Sequence, residues 1–107
     1  MKKSIIALML IFLSCTSFAQ KTKQEVIKAI DSKYSQYTDV AKKIWDFAEV
    51  GYHEDKSSAL LQDVLSKEGF KIEKGVAGMP TAFIASFGSG KPVIGILAEY
   101  DALPGIS

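Results

Sequence analysis

Two carboxylates follow an apolar run near the end of this sequence. Residues 93–98 read Val-Ile-Gly-Ile-Leu-Ala, and Glu99 and Asp101 come directly after them. A short run rich in Val and Ile is typical of a buried strand in a parallel or mixed sheet, and such sheets bind ligands at the carboxyl ends of their strands. On a continuing strand Glu99 and Asp101 share one face. They could therefore bind a metal ion or orient a histidine that does. Alternatively, the two acids cap a loop or the next helix, and the spacing leaves both interpretations open.

The elements before this run are predicted from apolar periodicity. One helix is expected to begin near Ile27, to end at Gly51 and to pack against a sheet through a stripe with steps of three and four, formed by Ile27, Ile30, Tyr34, Tyr37, Ala41, Ile44 and Ala48. A second helix is expected from about Asp55 to Glu68, with Gly69 as its stop and an apolar face of Ala59, Leu60, Val64 and Leu65.

Three strands are predicted after the helices. Residues 70–74 alternate apolar and charged side chains, residues 81–87 form a second run, and Gly88-Ser89-Gly90 turns the chain towards residues 93–98. Two helices followed by three strands indicate the opening part of a layered α/β domain.

Two other motifs are weaker candidates for chemistry. Gly88-Ser89-Gly90-Lys91 lacks the further glycine, the following Ser or Thr and the helix that a phosphate-binding loop needs, because Pro92 and a strand follow it. We interpret it as a turn. His53 is the only histidine, and one histidine cannot build a zinc site with three protein ligands. We expect a solvated side chain there.

The first 19 residues have the pattern of a secretory signal peptide. Lys2 and Lys3 precede an apolar stretch, and Ser17-Phe18-Ala19 forms a cleavage site before Gln20. The alternative is a lipoprotein signal with Cys15 acylated. Simple cleavage removes Cys15, and an exported chain without cysteine suggests the bacterial periplasm. After cleavage, 11 of the 13 basic residues remain, against 12 acidic residues. This near balance of charge predicts no nucleic-acid partner and no membrane partner.

Three segments resemble the zinc-peptidase-like amidohydrolases, the family of the aminoacylases and carboxypeptidases. They are residues 45–52 (Trp-Asp-Phe-Ala-Glu-Val-Gly-Tyr), residues 78–85 (Gly-Met-Pro-Thr-Ala-Phe-Ile-Ala) and residues 96–105 (Ile-Leu-Ala-Glu-Tyr-Asp-Ala-Leu-Pro-Gly). Within the family the sequence is most similar to the branch of the B subunit of p-aminobenzoyl-glutamate hydrolase. The resemblance covers essentially all of residues 24–107.

The resemblance implies a three-layer αβα catalytic domain, of which residues 20–107 form the N-terminal part. It also implies a site with two zinc or manganese ions that cleaves an amide bond in an N-acyl or aminobenzoyl amino acid or a dipeptide-like substrate. Asp101 matches the Asp of a His-x-Asp motif that orients a metal ligand, and it is the expected catalytic residue. Glu99 stands where that motif has its His, so it is a candidate metal ligand of a different type.

The remaining metal ligands of the family would lie downstream of this chain, as would the second domain used for dimerisation. We therefore expect a fragment of a longer homodimeric precursor, inactive by itself. The alternatives are a small periplasmic α/β binding or interaction module and a degenerate, non-catalytic paralogue.

Overall fold

The computed structural model describes residues 22–106; the predicted signal peptide, with Cys15, lies outside them. The chain divides into two compact units, one reaching Tyr37 and the other beginning at Thr38. Helix α1 covers residues 22–32, and α2 covers Tyr34–Phe47. No helix among the described residues is both long and apolar enough to cross a membrane.

The single helix expected from Ile27 to Gly51 is interrupted at Lys33. The Ser32 hydroxyl donates to the carbonyl oxygen of Ala29 at 2.7 Å, which is the acceptor that the Lys33 N–H would use in an α-helix. The Lys33 N–H instead donates to Ile30 at 3.0 Å, three residues back. This competition from a side chain explains the break.

The end of α2 and the burial of its stripe also differ from expectation. The helix ends at Phe47, and Ala48 takes the left-handed conformation with φ of 46°, a position that more often holds glycine. The first half of the predicted stripe is 47–73% exposed, namely Ile27, Ile30, Tyr34 and Tyr37. The first half of the stripe is therefore not a buried face in the part of the chain that the structure describes.

Helix α3 is confirmed within one residue, at Asp55–Lys67. Gly69 has the φ of 89° expected of a helix stop. The predicted buried face of α3 is wrong. Ser57, Ser58 and Gln62 are buried, whereas Ala59 is exposed and Leu60, Val64 and Leu65 are only half-buried. Within residues 22–106 no apolar side chain is fully buried.

Two of the three predicted strands form an antiparallel hairpin. Strand β1 covers Lys71–Lys74 and β2 covers Phe83–Ser86, with Lys71 opposite Ser86 and Lys74 opposite Phe83. The loop between them closes through the Gly75 N–H, which donates to Ala82 at 2.8 Å. Helices followed by strands confirm the α/β class expected for the N-terminal part of a peptidase-like domain.

The third strand is not formed. Residues 93–98, called the apolar run below, are neither helical nor paired as a strand, and the side chains of Val93, Ile94, Ile96 and Leu97 are 83–91% exposed. A strand is stabilised by hydrogen bonds and side-chain pairs with its neighbours. The described sheet has only β1 and β2, so it offers the apolar run no such neighbour.

Candidate functional site

The two candidate carboxylates lie on an irregular segment, residues 99–102, called the site segment below. Glu99 and Asp101 are exposed, whereas Tyr100 between them is half-buried. The structure thus turns Tyr100 towards the protein and leaves both acids at the surface. The Asp101 Oδ2 atom lies 3.6 Å from the position that a Cβ on Gly51 would occupy, so this carboxylate lies against the turn that follows α2.

The backbone on both sides of Asp101 is held by hydrogen bonds. The Tyr100 hydroxyl donates to the carbonyl oxygen of Thr81 at 2.7 Å, and the Tyr100 ring lies 6.2 Å from that of Phe83, centroid to centroid. The Ala102 N–H donates to the carbonyl oxygen of Glu49 at 2.7 Å. The site segment is therefore fixed to the β2 side and to the end of α2 at the same time.

Thr81 belongs to a buried polar cluster made of Ser57, Ser58, Gln62 and Thr81. The Ser58 hydroxyl donates to the carbonyl oxygen of Thr81 at 2.6 Å and accepts from the Gln62 amide at 2.8 Å. The same Thr81 oxygen thus accepts from α3 and from the site segment. Since buried polar groups are costly unless they are paired, this cluster holds α3 and the site segment at fixed positions relative to each other.

Glu54 is connected to the cluster through its carboxylate. The Thr81 hydroxyl donates to Glu54 Oε2 at 2.6 Å, and the Tyr52 N–H donates to Oε1 at 3.0 Å. The hydrogen bond from Thr81 is the main cause that lowers the pKa of Glu54; partial burial opposes it, and the backbone bonds add to it. The charged form of Glu54 is therefore favoured.

Glu49 caps α3 from outside the helix. Residue Glu54, at the start of α3, makes no side-chain cap, and the Glu49 carboxylate accepts instead from the N–H groups of Lys56 at 3.0 Å and Ser57 at 2.8 Å and from the Ser57 hydroxyl at 2.8 Å. Partial burial favours the neutral form, but these hydrogen bonds outweigh it and lower the pKa of Glu49. Glu49 thus holds α3 through its side chain and the site segment through its carbonyl.

Of these groups, Glu54 and Thr81 line an open cleft of about 610 Å³. Residues 97–101 form one wall, and Tyr52, Glu54 and Thr81 contribute to the other. Tyr52 is 74% exposed and has a φ of 67°, which is rare for an aromatic residue. Its ring therefore stands at the cleft on a constrained backbone.

The polar side chains that line the cleft, among them Glu54, Glu99 and Asp101, carry oxygen atoms, and they stand among apolar ones such as Met79 and Leu97. Within residues 22–106 no three His, Cys, Asp or Glu side chains lie together as a metal-binding group would require. Asp101 and Glu99 offer hard oxygen ligands that suit a divalent cation, so they fit part of a donor set. His53 is exposed, as expected, and does not line the cleft.

The interpretation of Gly88-Ser89-Gly90-Lys91 as a turn is confirmed. Gly88 and Gly90 have φ of 76° and 94°, and no helix follows the motif within the described residues. It therefore lacks the helix N-terminus that would face a phosphate group.

Comparison with known proteins gives relatives from one class of enzyme. The chain is 48% identical over 79 residues to the B subunit of the p-aminobenzoyl-glutamate hydrolase of Escherichia coli (strain K12). It is 36% identical over 67 residues to thermostable carboxypeptidases 1 and 2 of Saccharolobus solfataricus. The chain belongs to this amidohydrolase and peptidase-like family. No family model matches the sequence.

The matched part is a small piece of each relative. The alignments cover 74% of this chain but 16% of the E. coli hydrolase chain, and 61% of this chain but 17% of each carboxypeptidase. Over the matched residues, the identities confirm the family expected from residues 45–52, 78–85 and 96–105.

Sequence reasoning found the two exposed acids and missed the groups that hold them. Glu49 and Thr81 lie within segments that carry the family resemblance, residues 45–52 and 78–85, but nothing in the sequence assigned a role to either residue. One signal was present: α3 begins without a Ser, Thr, Asp or Asn at its cap, so its first N–H groups need an acceptor from elsewhere in the chain. Glu49 is an acidic residue shortly before the helix and fills that need.

Proposed function

We propose that this chain forms the N-terminal part of the catalytic domain of a metal-dependent amidohydrolase. The substrate class is an N-acyl or aminobenzoyl amino acid, or a dipeptide-like amide. The observation that carries the proposal is Asp101, an exposed carboxylate at a cleft, on a backbone held from both sides. The names of the relatives, a hydrolase of p-aminobenzoyl-glutamate and two carboxypeptidases, support cleavage of an amide bond next to an amino acid.

Asp101 and Glu99 have different roles in this proposal. Asp101 would accept a hydrogen bond from a metal ligand and fix its orientation, and Glu99 would offer its oxygens to the metal directly. When bound, two zinc or manganese ions would polarise the amide carbonyl and lower the pKa of a bound water. The other ligands would come from residues outside 22–106, and residues 20–107 alone would then be inactive.

The compartment and assembly are part of the proposal. Lys2, Lys3 and the apolar stretch before Ala19 support export and cleavage before Gln20, with the mature protein in the periplasm. Acylation at Cys15 is the alternative outcome. We also propose that the whole enzyme is a homodimer acting on a small-molecule amide.

Activity of the protein made from its complete coding sequence tests the proposal. Release of the free amino acid from N-acyl and aminobenzoyl amino acids is measured before and after chelation, and again after Zn²⁺ or Mn²⁺ is returned. We expect chelation to abolish hydrolysis and one of the two ions to restore it.

The variant Asp101→Asn tests the residue that carries the proposal. We expect a loss of about 10–100-fold in turnover or metal affinity, the usual range for a group that orients a metal ligand. Asp46→Asn, an exposed acid on α2, is the matched control and should keep wild-type activity. Near-normal turnover of a folded Asp101→Asn protein would remove Asp101 from the mechanism, and absence of any metal-dependent hydrolysis would favour the binding-module alternative.

A further inference from the structure

We propose that Tyr100 is a positioning residue for Asp101, acting through the hydrogen bond from its hydroxyl to the carbonyl oxygen of Thr81. The inference rests on the proposed function, since it concerns the placement of the carboxylate that the function uses. This role can be separated from the packing of the Tyr100 ring, because it depends on the hydroxyl oxygen alone.

The first argument is that Asp101 has no hydrogen bond of its own to fix its carboxylate. No bond from its side chain to another described residue exists, so its placement depends on the residues before and after it. Those two residues are attached, Tyr100 to Thr81 and Ala102 to Glu49, each at 2.7 Å. This arrangement fixes the backbone and leaves the carboxylate free to face a ligand.

The second argument comes from the groups to which the attachments lead. Thr81 is only 7% exposed, and its carbonyl oxygen also accepts from Ser58 on α3. A helix and a buried residue are rigid supports, which functional groups need if they are to be held within a fraction of an ångström. The Tyr100 hydroxyl thus connects the site segment to the most buried part of the described chain.

The third argument is the contrast with the residues immediately before. In the part of the chain that the structure describes, no hydrogen bond joins residues 93–98 to any other residue. Glu99 makes no such bond either, so Tyr100 makes the first hydrogen bond after the seven residues 93–99. Without its hydroxyl, Tyr100 would keep only its ring contact with Phe83, and the hydrogen bond between the site segment and Thr81 would be lost.

The test compares three variants of the protein made from its complete coding sequence. Tyr100→Phe removes the hydroxyl and keeps the ring beside Phe83. Ser58→Ala removes the other hydrogen bond at the same Thr81 oxygen and leaves the Tyr100 bond intact. Tyr34→Phe removes a hydroxyl from an exposed tyrosine of α2 and controls for the substitution itself.

Four readouts are taken for each variant. Hydrogen exchange of the peptide spanning residues 98–103 is measured in metal-free protein, the affinity for Zn²⁺ or Mn²⁺ alone is measured by competition with a chelating dye, and kcat and KM are measured separately. Thermal unfolding shows how much stability each variant loses.

We expect Tyr100→Phe to speed exchange of residues 98–103 by about five-fold, the effect of losing one hydrogen bond. Metal affinity or kcat should fall by about ten-fold or more, with KM within two-fold of wild type. Ser58→Ala should lower thermal stability as much or more, yet change exchange of residues 98–103 and metal affinity clearly less than Tyr100→Phe does, because the Tyr100 bond remains. Tyr34→Phe should change none of the readouts.

Three results would overturn the inference. Unchanged exchange in Tyr100→Phe would show that the hydroxyl does not fix the site segment. Faster exchange with unchanged metal affinity and kcat, or equal losses of metal affinity in Ser58→Ala, would make the role purely structural. Failure of the proposed function is separate from all three, because the wild-type protein would then bind no metal and hydrolyse no amide before any variant is compared.

Discussion

The site segment and the apolar run are adjacent in the sequence, yet the structure treats them differently. The site segment carries charged and polar residues and is held at Tyr100 and Ala102. The apolar run has the stronger strand pattern and no hydrogen bond to any other described residue. The difference shows that a few hydrogen bonds can hold a segment in place where no apolar side chain is fully buried. An apolar strand, by contrast, needs a neighbouring strand to pair with.

Acidification should cause the largest loss of stability, in the region that Glu49 and Glu54 hold together with the site segment. The pKa values of Glu49 and Glu54 are lowered in the folded chain, so their stabilisation is complete above the ordinary value of about 4.5 and is lost as the pH falls through the folded values. Together the two carboxylates should account for about 2–3 kcal/mol, given the usual strength of hydrogen bonds to charged groups. Urea unfolding at pH 7 and at pH values below 4.5 measures this loss.

A pair of glutamine variants identifies the source of the acid effect. Glu49→Gln should weaken the pH dependence, because the variant has no charge to lose. Glu73→Gln, on exposed β1, should keep the wild-type profile. If both variants follow the wild type, the carboxylate at α3 does not contribute to the stability of this region.

The variant Thr81→Val should have the next largest effect. Valine has nearly the same shape but cannot donate to Glu54, so a partly buried carboxylate loses its shortest hydrogen bond. We expect a loss of about 1–2 kcal/mol, seen as a decrease in the melting temperature of roughly 4–8 °C per kcal/mol for a domain of this size. Thr38→Val on α2 is the matched control. An equal loss in the two variants would show that the effect is one of general packing.

The sequence predicted local elements well and burial poorly. Helix α3 and the hairpin follow from apolar spacing and glycine stops within a few residues, so they were found. The break at Lys33 depends on one hydroxyl, that of Ser32, competing for a carbonyl, which periodicity does not reveal. The buried face of α3 was missed because its residues are polar. Ser57 is bonded to Glu49, and Ser58 is bonded to Thr81 and Gln62.

In the candidate site, too, the sequence indicates some residues and does not reveal others. Glu99 and Asp101 are candidates from the sequence because two acids after an apolar run have a recognisable spacing. Their supports, Glu49 and Thr81, lie 52 and 20 residues before Asp101 in the sequence. Hydrogen bonds over such separations follow from the fold, and both of these bonds end on backbone carbonyl oxygens, which carry no residue preference.

The substitution Ile96→Lys should have the smallest effect on stability and so sharpens the contrast between the two regions. Ile96 is 90% exposed, so a charge there should change the free energy of unfolding of the 107-residue chain by less than about 0.5 kcal/mol. It should instead reduce self-association, because exposed apolar side chains beside unpaired backbone groups promote contacts between chains. Sedimentation at rising concentration measures this change, and Ser89→Lys, which adds the same charge in the preceding turn, should associate like the wild type. A loss of stability in Ile96→Lys as large as that in Thr81→Val would mean that the apolar run is packed, and the contrast with the site segment would then disappear.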